Sequence, residues 1–147
     1  MKSAEQIKGA VKNIAKKMNL IYVDTGAMYR AMAVYFIKQG VDINNVDAVA
    51  EACGGADITI KYEDGVQVVY LNGENVNPYL RTEEVGNMAS ATSVQPAVRV
   101  KLVELQQALA KTTDVIMDGR DIGTVVLPDA DVKIYMTASS AIRAKRR

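Results

Sequence analysis

The chain has 147 residues and a formal net charge of +1, with 49% hydrophobic and 24% charged residues. This composition is typical of one folded domain, or of a large part of a bigger one, and it excludes global disorder and membrane-spanning helices. The single Cys53 excludes an internal disulfide framework, and the lack of histidine excludes Cys–His zinc sites and Ser–His or Cys–His catalysis. We expect a cytoplasmic protein.

Positive charge is concentrated near both ends, with five lysines in residues 1–17. These lysines are spaced as the solvated face of a helix, and no aromatic side chains alternate with them. We therefore expect no nucleic-acid partner and interpret Lys8 and Lys12 as solvent-exposed.

The first elements alternate between helix and strand. One apolar stripe at spacings of four, three and four predicts a helix: Ile7, Val11, Ile14 and Met18. Ser3 and Gln6 form a capping box at its start. Residues 20–23 are an apolar run typical of a buried strand, and helices are predicted over 27–39, ended by Gly40, and over 46–53.

The pattern then changes to strand-like segments at 58–62, 66–71 and 74–76. Asp64-Gly65 and Asn72-Gly73 separate these segments, and both dipeptides are strong hairpin signals. The sequence therefore predicts a small antiparallel meander, residues 57–77, inserted in an otherwise alternating chain.

Helical patterning returns at 83–89 and 96–111, and buried strands are predicted at 114–118 and 132–136. A final basic helix begins near residues 137–140. Apolar strands that alternate with helices indicate an α/β fold with a mostly parallel sheet.

Two predicted strands end in acidic residues followed by glycine: Asp24-Thr25-Gly26 and Asp118-Gly119-Arg120-Asp121. Ligands bind beyond the carboxyl ends of parallel strands, although an Asp beside a Gly is equally typical of a helix cap. Three guanidinium groups are suited to phosphate: Arg30 one helical turn after Gly26, Arg120 in the second loop, and Arg99 early in the helix at 96–111. For Arg99 a solvated helix face is the alternative. No nucleophile is evident, which favours positional and electrostatic catalysis on a phosphate.

Three segments closely resemble the bacterial cytidylate kinase family: 21–30 (IYVDTGAMYR), 88–91 with 96–99 (MASA, PAVR) and 118–126 (DGRDIGTVV). Residues 138–147 resemble the start of its lid, and the meander corresponds to the insert of the bacterial enzymes. The resemblance implies a P-loop nucleoside-monophosphate-kinase-like α/β fold, with 1–56 and 78–147 as an incomplete core that includes the start of the lid. It also implies phosphoryl transfer from ATP to CMP or dCMP, with Mg²⁺.

The resemblance assigns roles position by position. Arg30 and Arg99 would bind the CMP phosphate in a pocket formed with Thr25 and Tyr29, and Ser90, Arg120 and Asp121 would read the cytosine ring. Asp118 would lie near Mg²⁺ and the phosphates. The lid residues that would face ATP are Arg143, Arg146 and Arg147. No residue is assigned to an ATP phosphate loop or to direct metal ligation.

The family's phosphate loop, G-x-x-x-x-G-K-[ST], has no counterpart in residues 3–11, which contain one glycine. We also expect a truncation at both ends, without the central first strand that lies between the strands at 114–118 and 132–136 in this family. Exposed strand edges would then favour a homo-oligomer or a strand-exchanged assembly. Besides an active kinase, two hypotheses stay open: a CMP-binding module with turnover near background, and a purely structural remnant.

Overall fold

The computed structural model describes residues 4–145. Helices and strands follow one another in the order α1 (Ala4–Met18), β1 (Ile21–Asp24), α2 (Thr25–Gln39), α3 (Val46–Gly54), β2 (Ile58–Glu63), β3 (Val66–Leu71), β4 (Glu74–Asn75), α4 (Glu83–Thr92), α5 (Pro96–Thr112), β5 (Val115–Asp118) and α6 (Ser140–Lys145). A 3-10 turn covers Asn77–Tyr79 and a π-helical turn covers Ile122–Val126. No helix within residues 4–145 is long and apolar enough to cross a membrane.

The strands form a parallel sheet and a separate antiparallel sheet, which confirms the predicted α/β fold with a small insert. β1 and β5 pair in parallel, with Ile21 opposite Val115 and Asp24 opposite Asp118. The other sheet is a meander in the order β2–β3–β4. Because β1 and β5 run in the same direction and in register, both end in a carboxylate at the same edge of the sheet.

Two glycine turns fix the register of the meander. Asp64 and Gly65 have φ of 52° and 75°, and Asn72 and Gly73 have φ of 48° and 82°. Two consecutive left-handed residues form a type I′ turn, whose twist matches that of the flanking strands. The hairpin predictions are confirmed, and each strand ends within one residue of the expected position.

The core is built around α2. Seven residues of this helix are buried: Thr25, Met28, Ala31, Met32, Ala33, Val34 and Phe36. The helix packs against β3 of the meander and against α4 and α5. It ends at Gly40, whose left-handed conformation (φ 63°) confirms the predicted terminator. Packing of α2 therefore joins the insert to the rest of the fold and places Thr25 at the edge of the β1–β5 sheet.

The predicted strand at 132–136 is wrong. Its residues have no ladder partner in the part of the chain that the structure describes, and all five are exposed, including the apolar Val132, Ile134, Tyr135 and Met136. An apolar segment becomes a strand only where a neighbour takes up its backbone hydrogen bonds. The alternating pattern is present here without that neighbour.

The N-terminal helix is confirmed, but its apolar stripe is only partly covered. Ile7 and Val11 are half-buried and Ala15 is buried, whereas Ile14 and Met18 are 48% and 63% exposed. The helix packs against β1 and β5, and a sheet of this width does not cover a stripe four turns long. Ser3 of the predicted capping box lies outside the described residues.

Candidate functional site at the carboxyl edge of β1 and β5

Lys8 lies between the two strand-end carboxylates. Its Nζ atom is 3.4 Å from Asp24 Oδ2 and 3.2 Å from Asp118 Oδ2. The ammonium of Lys12, one turn further along α1, lies 5.4 Å from the ring centroid of Tyr22. Both lysines are exposed, as predicted, but Lys8 also makes two ion pairs and Lys12 lies against the Tyr22 ring, contacts that the sequence did not indicate. The short connection between α1 and β1 could have indicated the Lys8 contact. A helix that leads directly into a strand runs antiparallel to it, so the first turns of α1 lie near the carboxyl end of β1.

Asp118 is held by three neighbours. Its Oδ2 atom accepts a hydrogen bond of 3.0 Å from the Tyr22 hydroxyl in addition to the Lys8 ion pair. Its backbone carbonyl accepts a hydrogen bond of 2.8 Å from Thr25 Oγ1. Tyr22 is buried, and the Asp118 side chain is 39% exposed. The carboxylate thus has a fixed orientation and still faces solvent.

The surroundings alter the proton affinity of two of these groups. Partial burial opposes the charge on Lys8, but Asp24 and Asp118 outweigh that effect, so the pKa of the ammonium is raised above 10.5. Burial, followed by the hydrogen bond to Asp118, raises the pKa of the Tyr22 phenol well above its ordinary value. At neutral pH Lys8 is therefore a cation and Tyr22 a neutral donor.

Asp24 is both a helix cap and an ion-pair partner. Its Oδ1 atom accepts a hydrogen bond of 3.1 Å from the backbone of Gly26, as an N-cap of α2 does. Its own backbone N–H donates to Gln67 Oε1 of the meander at 3.1 Å. Of the two interpretations that the sequence left open for this aspartate, the helix cap is confirmed, and ligand binding stays a prediction.

Arg99, Asp121 and Tyr29 form a second group beside the first. The Arg99 guanidinium makes an ion pair with the Asp121 carboxylate. Burial raises the pKa of the Tyr29 phenol, while Arg99 lowers it and Asp121 raises it. Tyr29 is thus within the electrostatic range of both charges. Arg99 therefore does not occupy a purely solvated helix face.

The other predicted site residues are less closely grouped. Arg30 donates to the carbonyl of Leu80 at 3.0 Å. Ser90 on α4, Arg120 in the loop after β5 and Arg143 on α6 are exposed. Arg146 and Arg147 lie outside the described residues. The structure thus brings Thr25, Asp118, Tyr29, Arg99 and Asp121 to one edge of the sheet, and it leaves Ser90, Arg120 and Arg143 as exposed side chains.

Gln67 is a residue of this edge that the sequence analysis missed. In β3 it shares a face with Val69 and Leu71, so the alternation predicts an apolar side chain at position 67. The polar Gln67 at that position was the signal in the sequence.

The chain is similar to known cytidylate kinases over nearly all its length. The family model described as cytidylate kinase matches residues 6–147. Cytidylate kinases from Caldicellulosiruptor saccharolyticus and Lactobacillus gasseri are 48% identical over 136 residues, which is 92% of this chain and 60% and 59% of those proteins. The Flavobacterium johnsoniae cytidylate kinase is 48% identical over 142 residues, 92% of this chain and 61% of that protein. The chain spans about three fifths of the length of these relatives.

The close contact between Gly119 and Thr25 at the carboxyl edge of β1 and β5 can be tested by substitution. A Cβ atom at Gly119 would lie well inside van der Waals distance of Thr25 Oγ1 and of Ile122. We expect Gly119→Ala to displace the Thr25 hydroxyl from the Asp118 carbonyl and to destabilise the fold by about 1–3 kcal/mol. Urea unfolding measures this loss. Gly123→Ala is the matched control, since its Cβ would meet the flexible Lys133 side chain at 3.4 Å; equal losses in both variants would contradict the close contact.

The free energy of unfolding at alkaline pH tests the burial of the Tyr62 phenol. Burial raises the pKa of Tyr62 to about 12, and within residues 4–145 its hydroxyl has no hydrogen-bond partner. The unfolded chain releases this proton near pH 10, so the stability that Tyr62 contributes is complete below pH 10 and is lost as the pH rises towards 12. We expect Tyr62→Phe to flatten the decline of the free energy of unfolding between pH 10 and 12. The control variant at exposed Tyr135, Tyr135→Phe, should retain the wild-type slope, and an unchanged slope in Tyr62→Phe would refute the assignment.

Proposed function

Because the chain belongs to the cytidylate kinase family, we propose that its described residues form the acceptor half of a site for phosphoryl transfer from ATP to CMP or dCMP. The observation that carries this proposal is the group of Tyr29, Arg99 and Asp121 beside the Thr25–Asp118 hydrogen bond. The donor ATP and the acceptor are cytoplasmic metabolites, and we infer that the protein acts there.

The acceptor half offers groups suited to the two ends of CMP, and the Arg99–Asp121 ion pair would have to open for both residues to bind it. A guanidinium binds phosphate oxygens in a bidentate manner, and Arg30 and Arg99 supply two such groups. Asp121 is suited to the cytosine ring because a carboxylate accepts from the N4 amino group, which a uracil lacks. Exposed Ser90 and Arg120 would add contacts to the ring edge, with Thr25 and Tyr29 lining the pocket.

A strand-end carboxylate is a suitable ligand for a hard divalent cation, and the Lys8 ammonium that lies between Asp24 and Asp118 would have to move aside for one to bind. Mg²⁺ is held in kinases by one or two carboxylates together with phosphate oxygens. Asp118, oriented by Tyr22, would supply such a ligand, and the ion would neutralise charge that develops on the transferred phosphoryl group. Within residues 4–145 no group of three acidic, cysteine or histidine side chains forms a complete metal cage.

The residues at the start of α1 do not fit the ATP phosphates as well. A phosphate loop presents consecutive backbone N–H groups, whereas residues from Ala4 to Met18 form one helix and the sequence contains no G-x-x-x-x-G-K-[ST] motif. Arg143, Arg146 and Arg147 would contribute cations from the lid. We therefore propose CMP binding with turnover near background for this chain, and a CMP-binding module is the second candidate function.

The first experiment is a calorimetric titration of the chain with CMP, with AMP as the control ligand and without ATP. We expect saturable, CMP-selective heat, and we expect Arg99→Ala to weaken CMP binding about tenfold or more because a charge-assisted contact is lost. Lys111→Ala removes a cation from the far end of the same helix and should bind CMP as the wild type does. Absence of heat in the wild type would refute the acceptor site.

The same preparation then receives ATP and Mg²⁺, and ADP formation is followed with and without CMP. Poor positioning of the donor removes about 7–11 kcal/mol of catalytic advantage, so the CMP-dependent rate should remain near background. A robust rate that depends on CMP and is abolished by Arg120→Ala would contradict this and favour the fully active kinase.

We further propose that two copies of the chain associate through the outer edge of β5. Each residue of β5 is half-buried, and the apolar residues at 132–136 are exposed. An unpaired strand edge is a template for another strand, and exposed apolar side chains favour burial against a second copy. Sedimentation velocity should therefore detect a dimer, and a stable folded monomer across the concentration range would refute the association.

A further inference from the structure

The core-facing row of the meander ends in a polar residue. β3 places Gln67, Val69 and Leu71 on one face, and the last two belong to the hydrophobic core. In the register with β2, Ile60 lies opposite Val69 and Tyr62 lies opposite Gln67. Gln67 therefore stands at the end of an otherwise apolar row, and its amide requires a hydrogen-bond partner there.

That partner is the free edge of β1. The Ile21 backbone N–H donates to Asp114 on the β5 side. Successive N–H groups of a strand alternate in direction, so the Asp24 N–H faces away from β5. Within residues 4–145 the parallel sheet has no third strand to accept it. Gln67 Oε1 accepts this N–H at 3.1 Å and takes the place of a neighbouring strand at that one position.

The backbone of Gln67 is itself fixed. Its carbonyl accepts a hydrogen bond of 2.9 Å from Asn77 Nδ2, and Asn77 Oδ1 accepts from the Val69 N–H at 2.9 Å. The Asn77 side chain thereby continues the ladder of β3 beyond the short strand β4. The rigid meander consequently holds the Gln67 amide at a defined distance from β1.

We infer that Gln67 is a positioning residue for the turn formed by Asp24, Thr25 and Gly26, and that it acts through the Asp24 peptide N–H. Asp24 caps α2 through Gly26 and pairs with Lys8, and Thr25 bonds the Asp118 carbonyl. A loose Asp24 peptide would therefore change the direction of Thr25 in the CMP pocket. The inference rests on the proposed function for its effect on CMP and on geometry alone for its effect on Asp24.

The test uses the full chain with Gln67→Met, which keeps the length of the side chain and removes the acceptor. Loss of one hydrogen bond should make the Asp24 amide exchange with solvent about tenfold faster, with an upfield shift of its proton resonance. CMP binding should weaken about three- to tenfold in calorimetry. Gln67→Glu keeps an acceptor oxygen and should restore slow exchange at Asp24.

Tyr70→Phe is the matched control. Tyr70 lies on the face of β3 opposite to Gln67, and the variant removes its 2.5 Å hydrogen bond to Glu63 of β2. Both exchange at Asp24 and CMP affinity should stay as in the wild type. If the Asp24 amide of Gln67→Met exchanges at the wild-type rate, the inference is overturned whatever the CMP affinity. Faster exchange together with wild-type CMP affinity would overturn it as well. A wild-type chain that binds no CMP would instead overturn the proposed function, while the Asp24 resonance still decides whether Gln67 positions the turn.

Discussion

Repulsion between Asp24 and Asp118 is the constraint on which this edge of the molecule depends. The register of β1 and β5 sets the two residues opposite each other, and neighbouring strands are only ~4.8 Å apart. Lys8 relieves the repulsion because α1 runs antiparallel to β1 and returns its first turns to the strand ends. The half-exposed ion pairs contribute little to stability by themselves, so their consequence is orientation rather than folding energy.

Each part of the site comes from a different region of the chain. α1 supplies Lys8, the meander supplies Gln67, and α5 supplies Arg99 to the loop after β5. Packing of α2 against the meander and α5 holds these regions in place, since its first residues form the turn at the strand end. Residues distant in sequence therefore meet because α2 fixes the meander and α5, while the β1–β5 sheet holds α1.

Local signals in the sequence predicted the elements whose geometry is decided within a few residues. Asp64-Gly65 and Asn72-Gly73 specify their turns because both require two left-handed residues, and Gly40 ends α2 for a similar reason. The segment at 132–136 carries the alternation of a strand, but a strand also needs a neighbour, and no local pattern reports whether one is present.

The sequence predicted where the candidate site lies, but it did not predict the polar contacts between residues distant in the chain. Resemblance and strand-end placement together indicated Thr25, Arg99, Asp118 and Asp121. Lys8 and Gln67 were missed because a lysine on a helix and a glutamine in a strand are usually solvated. Their contacts depend on the direction of α1 relative to β1 and on how the meander packs against the rest of the fold. The spacing of residues along the sequence gives neither.

Charge divides the edge into two halves with different ligand preferences. Lys8 with Asp24 and Asp118 has a formal charge of −1, whereas the Arg99–Asp121 ion pair is neutral and α2 adds the cation Arg30, which donates to the Leu80 carbonyl. The first group favours a cation and the second an anion, and Thr25 lies between them through its bond to Asp118. A nucleotide phosphate bound by the arginines would therefore meet a cation held by the carboxylates. Under the proposed function, this is the order of charges that phosphoryl transfer would require, and it does not depend on a loop for the donor.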